Sequence, residues 1–269
     1  MFSAVGLSDF QGAAGSYPMS LHVLDVGKAD AILVECEGKY LLVDGGTYGY
    51  GEDVCQYLAR QGVKELEYVI NTHPDEDHIG GLWEVLNRFP VKEFLSPNLP
   101  DGLLPDTPEC SAVAAMLQEK RIPVRYPATG ELLNVGRLNI EVLGPVKQYE
   151  SLNDNSLILR LTYGETSFLL MGDAEKEAEL DLVAAGKPLK SDVFKVGHHG
   201  SATSTTWELL DAVRPEYAVI SVGPDRNNLP KQEVLERLRS AGAELYRTDI
   251  GGSVLFVSDG ARVTPLTEP

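Results

Sequence analysis

Twice along this 269-residue chain an apolar run ends in aspartate, a helix-spaced stretch follows, and a second apolar run ends in histidine. The first half reads YLLVDGG from Tyr40, GEDVCQYLARQG from Gly51 and EYVINTHPDEDH from Glu67; the second reads SFLLMGDA from Ser167, EKEAELDLVAAG from Glu175 and DVFKVGHHGS from Asp192. Asp44 and His73 stand 29 residues apart, and Asp173 and His198 stand 25 apart. Short runs of Val, Ile and Leu bounded by Gly and Asp read as strands. The repeat therefore predicts two similar strand–helix–strand halves, each delivering an aspartate and a histidine at the C-terminal ends of its strands. Layered α/β proteins collect their active-site groups there, and two halves packed face to face would pool them at one edge.

Further runs extend the same pattern. SLHVLDV from Ser20, KEFL from Lys92, NSLILRL from Asn155 and YAVISVG from Tyr217 read as strands, while GGLWEVLNRF from Gly80, TTWELLDAV from Thr205 and QEVLERLRSAG from Gln232 carry helical spacing. Several of the helical stretches stop at glycine, as a helix C-terminus prefers. The mixture predicts an α/β fold with helices covering sheets, and SPNLPDGLLPDTPE from Ser96 reads as a proline-rich loop. With 43% hydrophobic and 23% charged residues the chain can bury a full core. Residues 20–269 read as one domain and 1–19 as an N-terminal extension. No window approaches the ~20 apolar residues of a membrane span, and the opening residues lack a signal-peptide pattern. Cys36, Cys55 and Cys110 cannot all pair, which points to reduced thiols and a cytoplasmic location. The net charge of −17 repels a phosphate polymer unless basic groups or metal ions reverse the sign locally.

The densest chemistry lies in His73-Pro74-Asp75-Glu76-Asp77-His78, two imidazoles and three carboxylates directly after a strand. A helix cap needs one carboxylate and no histidine, so this spacing points to a bound cation. His73 and Asp75 can face one ion while Asp77 and His78 face another. Gly197-His198-His199-Gly200-Ser201 supplies more imidazole, and Asp173 offers a carboxylate able to bridge two ions. Such a donor set suits a binuclear site with positions open to water.

Taken together, the upstream VDGG, THPDEDHIGG from Thr72, the downstream GDA and the late KVGHHGS resemble the metallo-β-lactamase superfamily. More narrowly, LDVGKADA from Leu24 and NDNSL from Asn153, in order with those motifs, resemble the hydrolase domain of ComEC-type competence proteins. The resemblance covers about residues 20 to 260 and implies a four-layer αββα sandwich, the metallo-β-lactamase fold, with its metal site at the sheet edge. It further implies that His73 and Asp75 bind a first metal, that Asp77 and His78 bind a second completed by His198 or by its neighbour His199, and that Asp173 bridges. The strand should point one histidine of the pair inward and the other toward substrate. The third histidine ligand of the lactamases has no counterpart, its place falling near Asn155, a weak oxygen donor. Asp44 either holds a ligand histidine from behind or forms the turn before Gly45-Gly46, and Asp30 has the same two readings. His22 reads as a structural strand residue.

Oxygen in place of imidazole hardens the first site, so two divalent ions, Mn or Zn with Mg as a third choice, are the implied cofactors. The implied chemistry is hydrolysis by a metal-bound water whose pKa falls to ~7. Asp77 would orient that water, and Lys195, His199 and Ser201 would neutralise a phosphoryl oxygen. The leading expectation is thus a phosphodiesterase or nuclease acting on DNA or a nucleotide, with Lys28, Lys195, Arg226 and Lys231 as a basic rim. Two alternatives stand beside it: a hydrolase of carboxylic esters, lactams or thioesters, and a binding module that holds metal without turnover. Two positions depart from the competence-type pattern: Gly27-Lys28-Ala29-Asp30 stands where Gly-Gln-Gly-Asp is usual, and Asn227-Asn228-Leu229-Pro230 replaces Tyr-Gly-His-Pro.

Overall fold

Alternation along each strand divides the apolar side chains between an inner and an outer layer, because successive side chains of an extended chain point to opposite faces. The computed structural model describes residues 17–224 and 226–267. In it β1 (Met19–Val23), β2 (Ile32–Cys36), β3 (Lys39–Val43), β4 (Leu66–Ile70), β5 (Val91–Leu95) and β6 (Val124–Arg125) build a first sheet. β7 (Leu132–Val135), β8 (Leu138–Gly144), β9 (Ile158–Tyr163), β10 (Thr166–Leu170), β11 (Val193–Lys195), β12 (Tyr217–Ile220) and β13 (Glu244–Arg247) build the second, and β14 (Val254–Ser258) and β15 (Val263–Pro265) return to the first. The orders are β15-β14-β1-β2-β3-β4-β5-β6 and β13-β12-β11-β10-β9-β8-β7.

Leu41 and Val43 of β3, Ile70 of β4 and Phe168 and Leu170 of β10 meet in the core between the sheets. Leu42 and Val69 turn outward to a layer formed by α1 (Gly51–Arg60), α2 (Glu76–Ile79), α3 (Leu82–Arg88) and α4 (Pro108–Lys120). Leu169 and Phe194 turn outward to α5 (Lys176–Ala184), α6 (Trp207–Val213) and α7 (Gln232–Ser240); a short α8 (Thr248–Gly251) precedes β14. Helix, sheet, sheet and helix are thus stacked as the αββα sandwich the motifs predict. None of the helices among the described residues is long and apolar enough to cross a membrane.

β3 and β4 run parallel with α1 as the crossover, and β10 and β11 run parallel with α5 as theirs. This is the repeat seen in the sequence, and it aims Asp44, His73, Asp173 and the His198-His199 pair at one edge. The proline-rich stretch is irregular as far as Asp106, but the chain then enters α4, a helix the sequence reading omits. Thr107 caps it, its hydroxyl accepting from the Cys110 amide at 3.3 Å with Pro108 in the first turn. Val113 is its only fully buried residue, so a helix lying this shallowly shows little apolar periodicity. Of the expected N-terminal extension, residues 1–16 lie outside the described residues; Met19 already belongs to β1.

Candidate metal centre

Asp44 leaves β3 in the left-handed backbone region, at φ 57°, and is completely buried. One carboxylate oxygen accepts from the Thr72 amide at 2.8 Å, and the other from the Thr72 hydroxyl at 2.7 Å and from His78 Nδ1 at 2.8 Å. Asp44 therefore ties the end of β3 to the loop after β4 and orients one histidine of that loop. With its Nδ1 proton held by a carboxylate, a neutral His78 presents the lone pair of Nε2 toward the sheet edge.

The same arrangement occurs at two further rings. The Thr72 hydroxyl gives its proton to Asp44, so at 3.2 Å from His73 Nδ1 it acts as acceptor and His73 also keeps Nε2 free. His199 Nδ1 donates to the Ser221 carbonyl at 2.9 Å, which leaves its Nε2 without a proton in the neutral ring. All three rings are fully buried. His73 Nε2, His78 Nε2, His199 Nε2 and Asp173 Oδ1 are buried with no hydrogen-bond partner. Leaving one such atom unsatisfied costs about 1–3 kcal/mol, so four aimed at one place make a strong demand for a shared cation.

The distances bear on what could meet that demand. His78 Nε2 lies 3.2 Å from Asp173 Oδ1, and His199 Nε2 lies 3.4 Å from Asp77 Oδ2 and 3.6 Å from Asp173 Oδ2. His73, His78 and Asp173 form one donor group with ligand atoms within 4.8 Å of one another, and Asp77, His78 and His199 form another. The residues fit divalent ions: nitrogen and carboxylate oxygen, an outer hydrogen bond behind each imidazole, and Asp173 reaching both groups.

Electrostatics follow the same geometry. Burial opposes a charge on His78, but Asp173 and Asp44 on either side outweigh it and raise its pKa well above that of an ordinary imidazole. Burial likewise works against ionised Asp173 and Asp77, yet His199 and His78 hold both carboxyls far below the usual range.

Several sequence expectations need correction. The paired histidines point to different places: His198 is partly exposed, its Nδ1 bound to Glu175 Oε1 at 3.0 Å and its Nε2 3.8 Å from Asp173, whereas His199 is buried and points into the donor cluster. Both residues have positive φ, 48° and 51°, so two successive left-handed residues swing the second ring inward. Lys195 does not face substrate. It is fully buried, and its ammonium pairs with Asp30 at 2.9 Å. Asp30 in turn stands 3.8 Å from His199 Nδ1, so the buried ion pair lies behind that ring; Lys195 and His199 outweigh burial and lower the Asp30 pKa. Asn155 is no donor either, because its amide bonds the Tyr149 amide and carbonyl and the Ser151 carbonyl, closing a loop.

Asp75 sits at the rim, 44% exposed in its side chain and 3.6 Å from His73 Nε2. Ser201 bonds Thr203 at 2.9 Å, and Arg226 and Lys231 lie outside the donor cluster, on the loop before α7. The sequence reading missed Thr72, whose place beside His73 is a usable signal, and Ser221 and Glu175, which support the two histidines from segments with no motif of their own.

Comparison with known proteins agrees with this architecture. Residues 24–223 match the family model of the metallo-beta-lactamase superfamily. The chain is 32% identical over 254 residues to ComE operon protein 3 of Bacillus subtilis, covering 87% of this chain and 32% of that protein. It is 32% identical over 238 residues to Recombination protein 2 of Haemophilus influenzae, covering 86% and 28%. The chain thus spans about a third of the length of these relatives. Among solved structures, a metallo hydrolase from Ignicoccus hospitalis superposes with a TM-score of 0.56 at 18% identity, covering 89% of this chain and 99% of the other, which supports the fold.

Proposed function

The chain belongs to the metallo-β-lactamase superfamily of metal-dependent hydrolases, and from that premise we propose that it cleaves phosphodiesters with divalent metal, nucleic acid being the substrate class to test first. The observation that carries this reading is the convergence of His73, His78, His199, Asp77 and Asp173, with Asp75 at the rim, in a donor set as rich in carboxylate as in imidazole. Hard oxygen donors suit the ions that clamp phosphoryl oxygens. The names of two relatives, Competence protein ComA of Neisseria gonorrhoeae and Recombination protein 2, support nucleic acid within that class.

His73, His78 and Asp173 would hold one ion and Asp77, Asp173 and His199 the other. Bound there, divalent ions supply a nucleophilic water at neutral pH and charge stabilisation for the oxygens of the ester. The protein's own residues do the rest. Asp44 and Thr72 fix the rings of His78 and His73, the Ser221 carbonyl fixes His199, and the Lys195–Asp30 ion pair lies behind the His199 ring. Asp77, 15% exposed in its side chain, would orient or deprotonate an attacking water.

Hydrolysis of bis(p-nitrophenyl) phosphate by protein stripped of metal and reloaded with Mn²⁺ or Zn²⁺ tests this. Turnover should return with metal and fall about 100-fold or more in Asp77→Ala, the scale of a lost general base. Bound metal without turnover on this ester or on DNA would refute the reading in favour of another ester or of binding alone.

A further inference from the structure

Lys28 stands on the loop between β1 and β2, and its backbone is clamped. Asp30 donates its amide to the Asp77 carbonyl at 3.0 Å and accepts from the Gly46 amide at 2.7 Å. Gly223 packs so tightly beneath the loop that a Cβ there would meet Gly27 Cα at 2.6 Å and the Lys28 amide nitrogen at 2.9 Å. These contacts fix the place from which the Lys28 side chain leaves the loop. From it the ammonium reaches Asp77 Oδ2 at 2.5 Å. That same oxygen is the one 3.4 Å from the unpartnered Nε2 of His199. Asp173 is flanked instead by imidazoles, His78 at 3.2 Å and His199 at 3.6 Å.

We propose that Lys28 is a built-in competitor for the Asp77–His199 metal position, so that the two positions fill unequally, the ammonium on the Asp77 oxygen weakening the second. A carboxylate can carry a divalent ion and a hydrogen bond together, but an ammonium held on the ligating oxygen repels the ion and draws electron density from that oxygen, so the ion binds more weakly. Among the described residues the His73–His78–Asp173 position has no ammonium at its carboxylate oxygen Oδ1, whose neighbour is the His78 ring at 3.2 Å, itself one of the ligands, and is the stronger of the two. Lys28, 27% exposed in its side chain, has solvent to swing into. The inference rests on the reading of these groups as metal ligands.

Calorimetric titration of the stripped full chain with Mn²⁺ alone tests it, comparing wild type with Lys28→Gln and Lys28→Arg, each checked for native circular dichroism. Wild type should bind in two unequal steps. Lys28→Gln should strengthen the weaker step about tenfold or more, the scale of a charge-assisted hydrogen bond, and leave the stronger step unchanged. Lys28→Arg, which keeps the charge, should retain the wild-type inequality. Low-temperature EPR gives a second readout, since the spectrum of a coupled manganese pair should appear at lower Mn²⁺ in Lys28→Gln than in wild type. Two steps of wild-type affinity in Lys28→Gln would overturn the role of Lys28, as would equal strengthening by Gln and Arg. Failure of all three proteins to bind any Mn²⁺ would instead refute the metal reading beneath it.

Discussion

The five histidines of the chain divide by what each ring nitrogen meets. His73, His78 and His199 each leave Nε2 bare inside the protein, whereas buried His22 has both nitrogens engaged: Nε2 with Ser20 Oγ at 2.8 Å and Nδ1 with Tyr57 Oη at 2.6 Å. Among the described residues no carboxylate pairs with that ring, and burial pushes its pKa down to about 3. The unfolded chain binds a proton near pH 6.5 and the folded chain does not until about pH 3, so stability is full above the unfolded value and is lost as pH falls through this window. Between pH 7 and pH 5 the loss from this residue should be about 2 kcal/mol. Urea unfolding of wild type and His22→Gln at both pH values checks it: the variant should lose about 2 kcal/mol less, and an identical pH dependence would contradict the assignment. The strand reading of His22 was available from alternation in SLHVLDV, because Leu21 and Val23 face the inter-sheet core and the histidine between them must face the helices. The partner Tyr57 was not, since nothing local links residues 35 positions apart.

Elements set the site through the turns at their ends. Gly172 follows β10 at φ 54°, and a Cβ there would meet Ser156 Cβ at 2.9 Å and Thr72 Cβ at 3.0 Å. Gly172→Ala should therefore cost roughly 1–3 kcal/mol of stability, from backbone strain and crowding together; denaturant midpoints report it, and an unchanged midpoint would sink the argument. Strands and crossover helices were legible because each apolar run alternates or repeats at helical spacing and ends at Gly or Asp. The roles of His198 and His199 were not, because two consecutive left-handed residues reverse the alternation that a strand would impose. Lys195 shows a signal left unused. In DVFKV, Val193 points between the sheets, so Lys195 two residues later must point the same way, into the interior, where only an acid could hold it. Its partner Asp30 comes from a loop 165 residues earlier and had no local mark. The shallow helix α4 was missed for want of a buried stripe.

At the scale of the whole molecule, the fold brings two halves of one sandwich together so that each supplies part of one donor set: Asp44, His73, Asp77 and His78 from the first sheet's edge, Asp173 and His199 from the second's. Neither half holds the complete arrangement, which ties the site to correct packing of the sheets. A chain carrying −17 would disfavour an anionic substrate at long range, and divalent ions at this edge would place positive charge where a phosphoryl group has to approach. The account accordingly stands on metal at the buried donors. Diffraction from crystals soaked in Mn²⁺, with anomalous differences collected near the manganese edge, tests that most directly. A peak at bonding distance from His73 Nε2, His78 Nε2 and Asp173 is the expected result, with a second, weaker peak beside Asp77 and His199. An anomalous map with no peak among these side chains, from crystals of folded protein in millimolar Mn²⁺, would contradict it.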